Sequence, residues 1–152
     1  MKKVWRIPTH QRMREKISHS KERETKPITQ TKLHIPGKQT GNCMVAAIAS
    51  ILEIDISIIP EFENMEPYRW YLALEEWLET IGFYLLRWDY EITLPGYYIA
   101  NGPSPRGVEH SVVYRNGKCV HDPHPSRSGL DKVTSVWAFL SLDPAMVTEE
   151  SK

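Results

Sequence analysis

Apolar residues along this chain first follow a helical pattern and then, after residue 82, a strand pattern. Residues 44–52 are apolar on nearly every side, contain three alanines and lack glycine and proline, which predicts a buried helix. In residues 68–81, apolar side chains return every three or four positions, at Trp70, Leu74, Trp77, Leu78 and Ile81. This spacing predicts a second helix with one apolar face, which begins after Pro67 and ends at Gly82.

Five later segments are rich in β-branched and aromatic residues and are separated by turn residues, so each predicts a β-strand. They are Phe83–Tyr90, Tyr97–Ala100, His110–Tyr114, Lys118–Asp122 and Val136–Leu142. Helices that precede strands, rather than alternate with them, are typical of an α+β fold. We therefore predict a buried first helix packed on an antiparallel sheet of about five strands. Between the two helices, Asp55 or Ser57 is predicted to cap a short helical turn that ends at Pro60.

Length and charge indicate one domain with a basic extension. The 152 residues are the usual size of a single domain, and the formal net charge is zero. Residues 1–26, however, contain nine Lys or Arg against three Glu, so we predict a flexible basic extension there. An arm that contacts an acidic partner is the alternative. We predict a single domain over residues 27–145 and a short tail over residues 146–152.

Composition excludes three classes of protein. No apolar segment approaches the roughly 18 residues of a membrane span, and no apolar run follows the basic start as in a secretory signal. Two cysteines are too few for a disulfide-rich secreted scaffold. We therefore expect a cytoplasmic protein without a membrane span. The balanced charge does not favour nucleic acid as a partner.

Cys43 stands at the start of the predicted buried helix, directly after Gly41 and Asn42. Unpaired backbone N–H groups and the helix dipole make this end electropositive, which favours the thiolate, the nucleophilic form of cysteine. The N–H of Cys43 also points to where an oxyanion would form during acyl transfer. This position predicts a nucleophile. Cys119, which lies in the middle of a strand segment, is predicted to be a buried packing residue.

His110 begins one predicted strand and Asp122 ends the next, so the turn between them decides whether they meet. A two-residue turn at Asn116–Gly117 would place His110 opposite Pro123, on the other face from Asp122. A three-residue turn over residues 115–117 would place His110 directly opposite Asp122. Cβ atoms in such a pair lie about 4.5–5.5 Å apart, close enough for a carboxylate to hold an imidazole N–H. We predict the three-residue turn.

Three sequence segments, in this order, resemble the papain-like cysteine hydrolases. They are Gln39–Cys43 before an apolar helix, the run His-Ser-Val-Val from His110, and the run Val-His-Asp-Pro that contains Asp122. The likeness is greatest to the bacteriocin-processing thiol peptidases of ABC transporters, in which one strand opens with His and its neighbour ends in Asp-Pro. The Gly-Asn-Cys triplet also resembles the motif of the OTU deubiquitinases. The resemblance covers residues 39–125 and implies a papain-like fold, in which a buried helix carries Cys and an antiparallel sheet carries His.

The resemblance also implies a role for each matched residue. Cys43 would be the nucleophile, His110 the general base and acid, and Asp122 the group that orients the imidazole. Gln39 would donate a side-chain N–H to the oxyanion, although it lies nearer the cysteine than the corresponding glutamine of the family does. Asn42 or a backbone N–H is the alternative oxyanion donor.

The loop Asn101–Gly107 precedes His110 and is predicted to form a rim of the cleft. We expect Ser104 and Arg106 of this loop, together with His124, to bind substrate, and Arg106 suits a carboxylate or a phosphate. The segment His121–His124 lacks further ligands at metal-binding spacing, so we expect no metal and no cofactor.

Together these residues predict a cysteine hydrolase of the peptidase, amidase or isopeptidase type, which acts through a thioester intermediate on a peptide-like or amide-containing substrate. The alternative is a non-catalytic binding module on the same fold. Such a module would contact a protein or nucleic-acid partner through the basic extension and the Arg106 loop. The substrate and the oligomeric state are left open by the sequence.

Overall fold

The computed structural model describes residues 26–142, so nearly all of the predicted extension and the predicted tail lie outside the described residues. Within residues 26–142, two α-helices precede five β-strands, and the predicted α+β class is confirmed. The helices are α1 (Cys43–Leu52) and α2 (Arg69–Thr80). The strands are β1 (Phe83–Trp88), β2 (Tyr97–Pro103), β3 (Glu109–Arg115), β4 (Lys118–His121) and β5 (Ser135–Ser141). None of the described helices is long and apolar enough to cross a membrane.

The five strands form one antiparallel sheet in the order β1-β5-β2-β3-β4. The last strand, β5, lies between β1 and β2 and pairs with both of them. The sequence pattern predicts each strand but not this insertion, because it holds no information on which strands are neighbours. The order puts β3 inside the sheet and leaves β4 at its edge.

Both helices pack on one face of the sheet. The residues Val45 to Ala49 of α1 are at most 3% exposed, as expected of a helix that is apolar on every side. They share a core with Leu74 and Leu78 of α2 and with the strand residues Leu85, Ile99, Val113 and Trp137. Alternate strand residues point to opposite faces of a sheet, and these four mark the face that the helices cover.

A second apolar cluster lies on the other face of the sheet. Tyr98, Ala100, Val112 and Val136 form it, and loop residues such as Ile92, Leu94, Leu130 and Val133 cover it. The tryptophans Trp70, Trp77, Trp88 and Trp137 all pack in one cluster or the other. Burial on both faces keeps the central strands rigid, which gives side chains at their ends fixed positions.

Three smaller predictions concern a helix cap, the burial of Cys119 and the extent of the rim loop. Asp55 caps a short 3-10 helix, Ile56–Ile58, by accepting a hydrogen bond from the Ser57 N–H at 2.8 Å, as predicted. The prediction that Cys119 is buried is wrong, because β4 is an edge strand and its first three residues are exposed. In addition, β2 runs on to Pro103, so residues 101–103 of the predicted rim loop belong to a strand.

The turn between β3 and β4 has two residues, so the predicted three-residue turn is wrong. Asn116 and Gly117 both have positive φ, 50° and 84°, and such turns match the twist of the flanking strands. The register then shifts, because Tyr114 pairs with Cys119 whereas Val113 pairs with His121. Val120 is the extra residue of this β-bulge. The bulge returns Asp122 to the face of His110, as the three-residue turn was expected to do, but the register continues to Asp122 opposite Val112 rather than directly opposite His110.

Gly102 occupies a position in β2 that admits no side chain. A Cβ atom there would lie 2.0 Å from the carbonyl oxygen of Lys132. The segment 131–134 crosses β2 at this point, where the Asp131 N–H donates to Pro103 O and the Thr134 N–H donates to Asn101 O, each at 2.8 Å. Because Gly102 pairs with His110 across the sheet, this crossing fixes the strand beside the candidate site.

We predict that Gly102→Ala lowers the free energy of unfolding by about 3 kcal/mol, the upper part of the range for overpacking, because the methyl group must displace the Lys132 carbonyl. Urea denaturation followed by circular dichroism measures this loss. Gly107→Ala is the control, since its Cβ would meet nothing within 4 Å and only its left-handed backbone, φ 80°, costs about 1 kcal/mol. An equal or smaller loss at position 102 would contradict the prediction.

Candidate active site

Cys43 is the first residue of α1 and is partly exposed. Asn42 stands at the N-cap position, but its side chain makes no capping hydrogen bond. Its Oδ1 instead accepts the backbone N–H groups of Thr31 and Lys32, at 3.1 and 2.9 Å. The first N–H groups of α1 therefore lack a side-chain cap and keep their positive character beside the thiol.

Gly41 permits the approach of the segment that Asn42 holds. A Cβ on Gly41 would lie 2.9 Å from the backbone nitrogen of His34 and 3.1 Å from Nε2 of Gln30. The Asn42 N–H also donates to the carbonyl of Lys32 at 3.1 Å. The Gly-Asn-Cys triplet thus has a local explanation: glycine admits residues 30–34, asparagine binds them, and cysteine begins the helix.

The environment of the Cys43 thiol raises its pKa above the ordinary 9.0. Burial is the largest cause, and it outweighs the neighbouring Ser111 and Met44 N–H groups and the Ser111 hydroxyl, which all lower the pKa. The expectation that the start of α1 favours the thiolate form of Cys43 is therefore wrong. The contact with the Ser111 N–H places the sulfur against the peptide group that joins His110 to Ser111.

His110 and Asp122 form the hydrogen bond between imidazole and carboxylate that the sequence predicted, and it is buried. The His110 Nε2–H donates to Asp122 Oδ1 at 2.6 Å, and the two side chains are 2% and 3% exposed. Burial lowers the pKa of His110 below 6.5 and outweighs the raising effect of Asp122, so the ring is neutral at pH 7. The other ring nitrogen, Nδ1, has no hydrogen-bond partner among residues 26–142 and is not one of their fully buried polar atoms.

A loop after β4 holds the Asp122 carboxylate in place. Oδ1 also accepts the His124 N–H and Oδ2 accepts the Gly129 N–H, both at 2.7 Å. Burial alone would raise the pKa of Asp122, but the hydrogen bonds from His110, Gly129 and His124 together hold it below 3.8. Arg127, with φ 52°, donates to the Asp122 carbonyl and, at 2.7 Å, to Thr29 Oγ1. The carboxylate is therefore ionised and fixed on several sides.

Cys43 and His110 both lie beside the beginning of β3, but on opposite faces of the sheet. Ser111 and Val113 face the helices, whereas His110 alternates with them and shares the second face with Val112. The sulfur contacts the His110–Ser111 peptide group, but no hydrogen bond joins it to the imidazole within the described chain. The thiol of α1 thus contacts β3 at Ser111, one residue after His110, and no preformed contact joins the thiol to the imidazole.

The two predicted oxyanion side chains donate to other groups of the protein instead. Gln39 is exposed in a tight turn, and its Nε2 donates to the carbonyl of Leu33 at 2.7 Å. The Asn42 Nδ2 donates to Thr31 Oγ1 at 2.9 Å. Neither amide is directed at the thiol in this arrangement, whereas the backbone N–H groups at the start of α1 are.

Of the predicted substrate-binding residues, two lie near His110. The His124 ring is edge-on to that of His110, with centroids 6.1 Å apart, and the charge of Arg106 lowers the His110 pKa. Ser104 is buried instead, and its hydroxyl donates to the carbonyl of Val108 at 2.8 Å, which closes the turn before β3.

Sequence reasoning missed two polar groups beside the site. Gln30 is 7% exposed, its N–H donates to Pro123 O at 2.9 Å, and its Oε1 has no partner in the described chain. No sequence signal marks it, because it lies before the first predicted helix. Ser111 donates to Asn101 Oδ1 at 2.6 Å and forms, with the thiol, a polar end to the helix-covered face. Ser111 directly follows His110 in the sequence, and this position could have marked it as a residue of the site.

An open groove of about 690 Å³ lies beside the segment that precedes Cys43. Its lining consists of Lys32, of residues from the segment 34–40 and of residues from the segment 63–67. Lys32 forms ion pairs with Glu61 and Glu63, at 2.6 and 2.9 Å. The groove does not include the Cys43, His110 or Asp122 side chains, so it adjoins the site rather than forming it.

Among residues 26–142, no group of three His, Cys, Asp or Glu side chains is arranged to hold a metal ion. Comparisons with protein-family models, with curated proteins and with solved structures find no match to this chain. Fold and site geometry therefore carry the functional argument.

We predict that Cys43 reacts slowly with iodoacetamide at neutral pH, and that its rate keeps rising beyond pH 9.0, because its thiol pKa is raised. The measurement uses Cys119→Ser, in which Cys43 is the only thiol, and follows alkylation by intact mass. The same chain in urea is the control and reacts faster at neutral pH. A rate that reaches its plateau below pH 7 would contradict the prediction and indicate a preformed thiolate–imidazolium pair.

We also predict that Asp122→Asn lowers the pKa of His110 further, because the carboxylate is the group that raises it. A proton NMR titration of the ring, assigned through His110→Gln, measures the change. Asp55→Asn removes an exposed capping carboxylate instead and leaves the His110 pKa unchanged. A His110 pKa that stays constant or rises in Asp122→Asn would show that the carboxylate does not govern the imidazole.

Proposed function

We propose that this chain is a cysteine hydrolase with a papain-like arrangement of Cys43, His110 and Asp122. One observation carries the proposal. The thiol at the uncapped start of a buried helix lies against the peptide group of His110, whose Nε2–H is held by a buried carboxylate. The free Nδ1 is then the basic nitrogen of the neutral ring, which is the tautomer that a general base for the thiol needs.

The reaction is acyl transfer to sulfur. His110 Nδ1 takes the proton of the Cys43 thiol as the sulfur attacks the carbonyl carbon of an amide, ester or isopeptide. The imidazolium then gives this proton to the leaving amine or alcohol, and a thioester remains. Water, deprotonated by His110, attacks the thioester, and the thiol regains its proton. Asp122 stabilises the imidazolium that forms at each step.

Backbone N–H groups at the start of α1 are the proposed oxyanion donors. They supply fixed partial positive charge close to the sulfur, where the negative oxygen of a tetrahedral intermediate forms. The side chain of Asn42 leaves them uncapped, because it binds residues 31 and 32 instead. One such donor is worth about 3 kcal/mol in the transition state.

The two pKa shifts support a neutral resting pair. Burial raises the pKa of Cys43 and lowers that of His110, so thiol and imidazole are both uncharged before substrate binds. Proton transfer therefore accompanies nucleophilic attack, and the proposal requires the His110 ring to turn from its own face of the sheet toward the sulfur. Catalytic contacts of this kind are often long in the absence of substrate.

A non-catalytic binding module is the second candidate, and a specific observation favours it. The thiol forms no hydrogen bond to the imidazole within residues 26–142, and its pKa is raised rather than lowered. A binding module requires neither feature. Its proposed contacts are the Arg106 loop and the basic extension.

Acylation by an activated ester separates the two candidates. We expect Cys119→Ser to release para-nitrophenolate from para-nitrophenyl acetate in a burst and to gain one acetyl group on Cys43, seen by intact mass. His110→Ala slows this acylation by about a hundredfold or more, because the general base is lost. Cys43→Ala abolishes both signals.

His34→Ala is the matched control, since it removes an exposed imidazole that lies outside the site and leaves acylation unchanged. If His110→Ala acylates as fast as its parent while keeping the parent's circular dichroism spectrum, the hydrolase proposal is wrong. Binding of a partner that survives Cys43→Ala would then support the second candidate.

A further inference from the structure

Arg106 is presented by a tight turn directly before the strand of His110. The Gly107 N–H donates to the Ser104 carbonyl at 2.9 Å, which closes a four-residue turn over Ser104–Gly107. Serine, proline and glycine at its first, second and fourth positions are the residues that such turns favour. The Ser104 hydroxyl adds a second contact, to Val108 O. The backbone that carries Arg106 is therefore well fixed.

The Arg106 guanidinium is held by hydroxyl groups and not by a carboxylate. Its Nη1 donates to Ser128 Oγ at 2.8 Å and to Ser126 Oγ at 3.3 Å. No carboxylate forms an ion pair with it in the described part of the chain. The edge made by Nε and Nη2 has no partner there, and the two N–H groups of this edge can donate in parallel to two oxygens of a carboxylate or phosphate.

His124 offers a further donor beside this arginine. Its Nδ1 accepts the Ser126 N–H at 3.0 Å, so the proton of the neutral ring is on Nε2. Nε2 has no hydrogen-bond partner among residues 26–142. The Ser126 hydroxyl contacts both groups, His124 Nδ1 at 2.8 Å and Arg106 Nη1, so one loop aligns the guanidinium and the imidazole.

The cluster of Arg106, His124, Ser126 and Ser128 adjoins the proposed catalytic base. The centroids of the His124 and His110 rings are 6.1 Å apart. Burial is the largest cause that lowers the pKa of each imidazole, and the Arg106 charge lowers both further. Arg106 disfavours the charged form of two neighbouring imidazoles and has no acidic partner in the described part of the chain. A bound anion would balance its charge.

We propose that Arg106 and His124, aligned by Ser126 and Ser128, form an anion-binding site that recognises a carboxylate or phosphate group of the substrate beside the scissile bond. The anion takes the Nε–Nη2 edge of Arg106 and the Nε2–H of His124. The substrate class is thus an acyl compound with an acidic group close to the reacting carbonyl. This assignment of a substrate class rests on the proposed hydrolase function, whereas the anion site itself does not.

Binding of simple anions tests the site without catalysis. In the full-length chain, we expect acetate or phosphate, added at constant ionic strength against chloride, to raise the pKa of both His110 and His124, because the bound anion offsets the Arg106 charge. Proton NMR titration of the rings measures the shift. A rise in the two pKa values with phosphate but not with acetate would indicate a phosphate group on the substrate. A rise with acetate but not with phosphate would indicate a carboxylate.

Substitutions at Arg106 make this test specific. Arg106→Gln raises both histidine pKa values without any anion and abolishes the response to acetate and phosphate. Arg106→Lys keeps the charge but loses the fork, and it keeps a weaker response. Arg87→Gln is the matched control, because Arg87 is already paired with Asp89 at 2.7 Å, and its response equals that of the parent. A response of equal size in Arg106→Gln, or its absence in the parent, overturns the proposal.

Acylation rates then test the substrate class. In the Cys119→Ser background, we compare para-nitrophenyl acetate with the para-nitrophenyl monoester of succinate, which carries a free carboxylate. Arg106→Gln lowers the succinyl-to-acetyl rate ratio by about tenfold, the effect of one lost charged hydrogen bond. An unchanged ratio overturns the substrate class. Anion-dependent histidine shifts without any acylation would retain the anion site and refute the hydrolase proposal instead.

Discussion

The carboxylate of Asp122 is the interaction on which the arrangement of the site depends. It is buried, and an isolated buried charge is costly, so it requires the hydrogen bonds from His110, His124 and Gly129 that surround it. The same contacts orient the imidazole and give the loop over residues 122–129 its shape. The position of the candidate base and the shape of the anion site are therefore consequences of satisfying one charge.

Residues before α1 join the two halves of the site. The Gln30 N–H donates to the carbonyl of Pro123, while its side chain packs against Gly41, two positions before the thiol. Arg127 reaches across from the Asp122 loop to Thr29. Segments distant in sequence are thus held together by polar contacts, which require specific partners and so specify one arrangement more strictly than apolar packing does.

The elements of the fold were predictable from local patterns, because an all-apolar run, a helical stripe and short β-branched segments each determine their own secondary structure. The insertion of β5 between β1 and β2 was not, since strand order is a tertiary property. The meeting of His110 and Asp122 was predicted for the wrong reason, because a bulge rather than a longer turn brings it about. The raised pKa of Cys43 was missed because burial, unlike a helix terminus, cannot be weighed from sequence.

The bulge at Val120 also bears on how this hairpin can vary in length. A two-residue turn with one bulged residue and a three-residue turn with none both leave His110 and Asp122 on the same side of the sheet, because side-chain direction alternates with every residue. A single insertion or deletion in a regularly paired stretch reverses one partner, whereas one that removes the bulged residue, or adds a second bulge or a turn residue, does not. Homologous chains that retain the pair should therefore differ in this interval by an even number of residues, unless the number of bulged or turn residues changes as well.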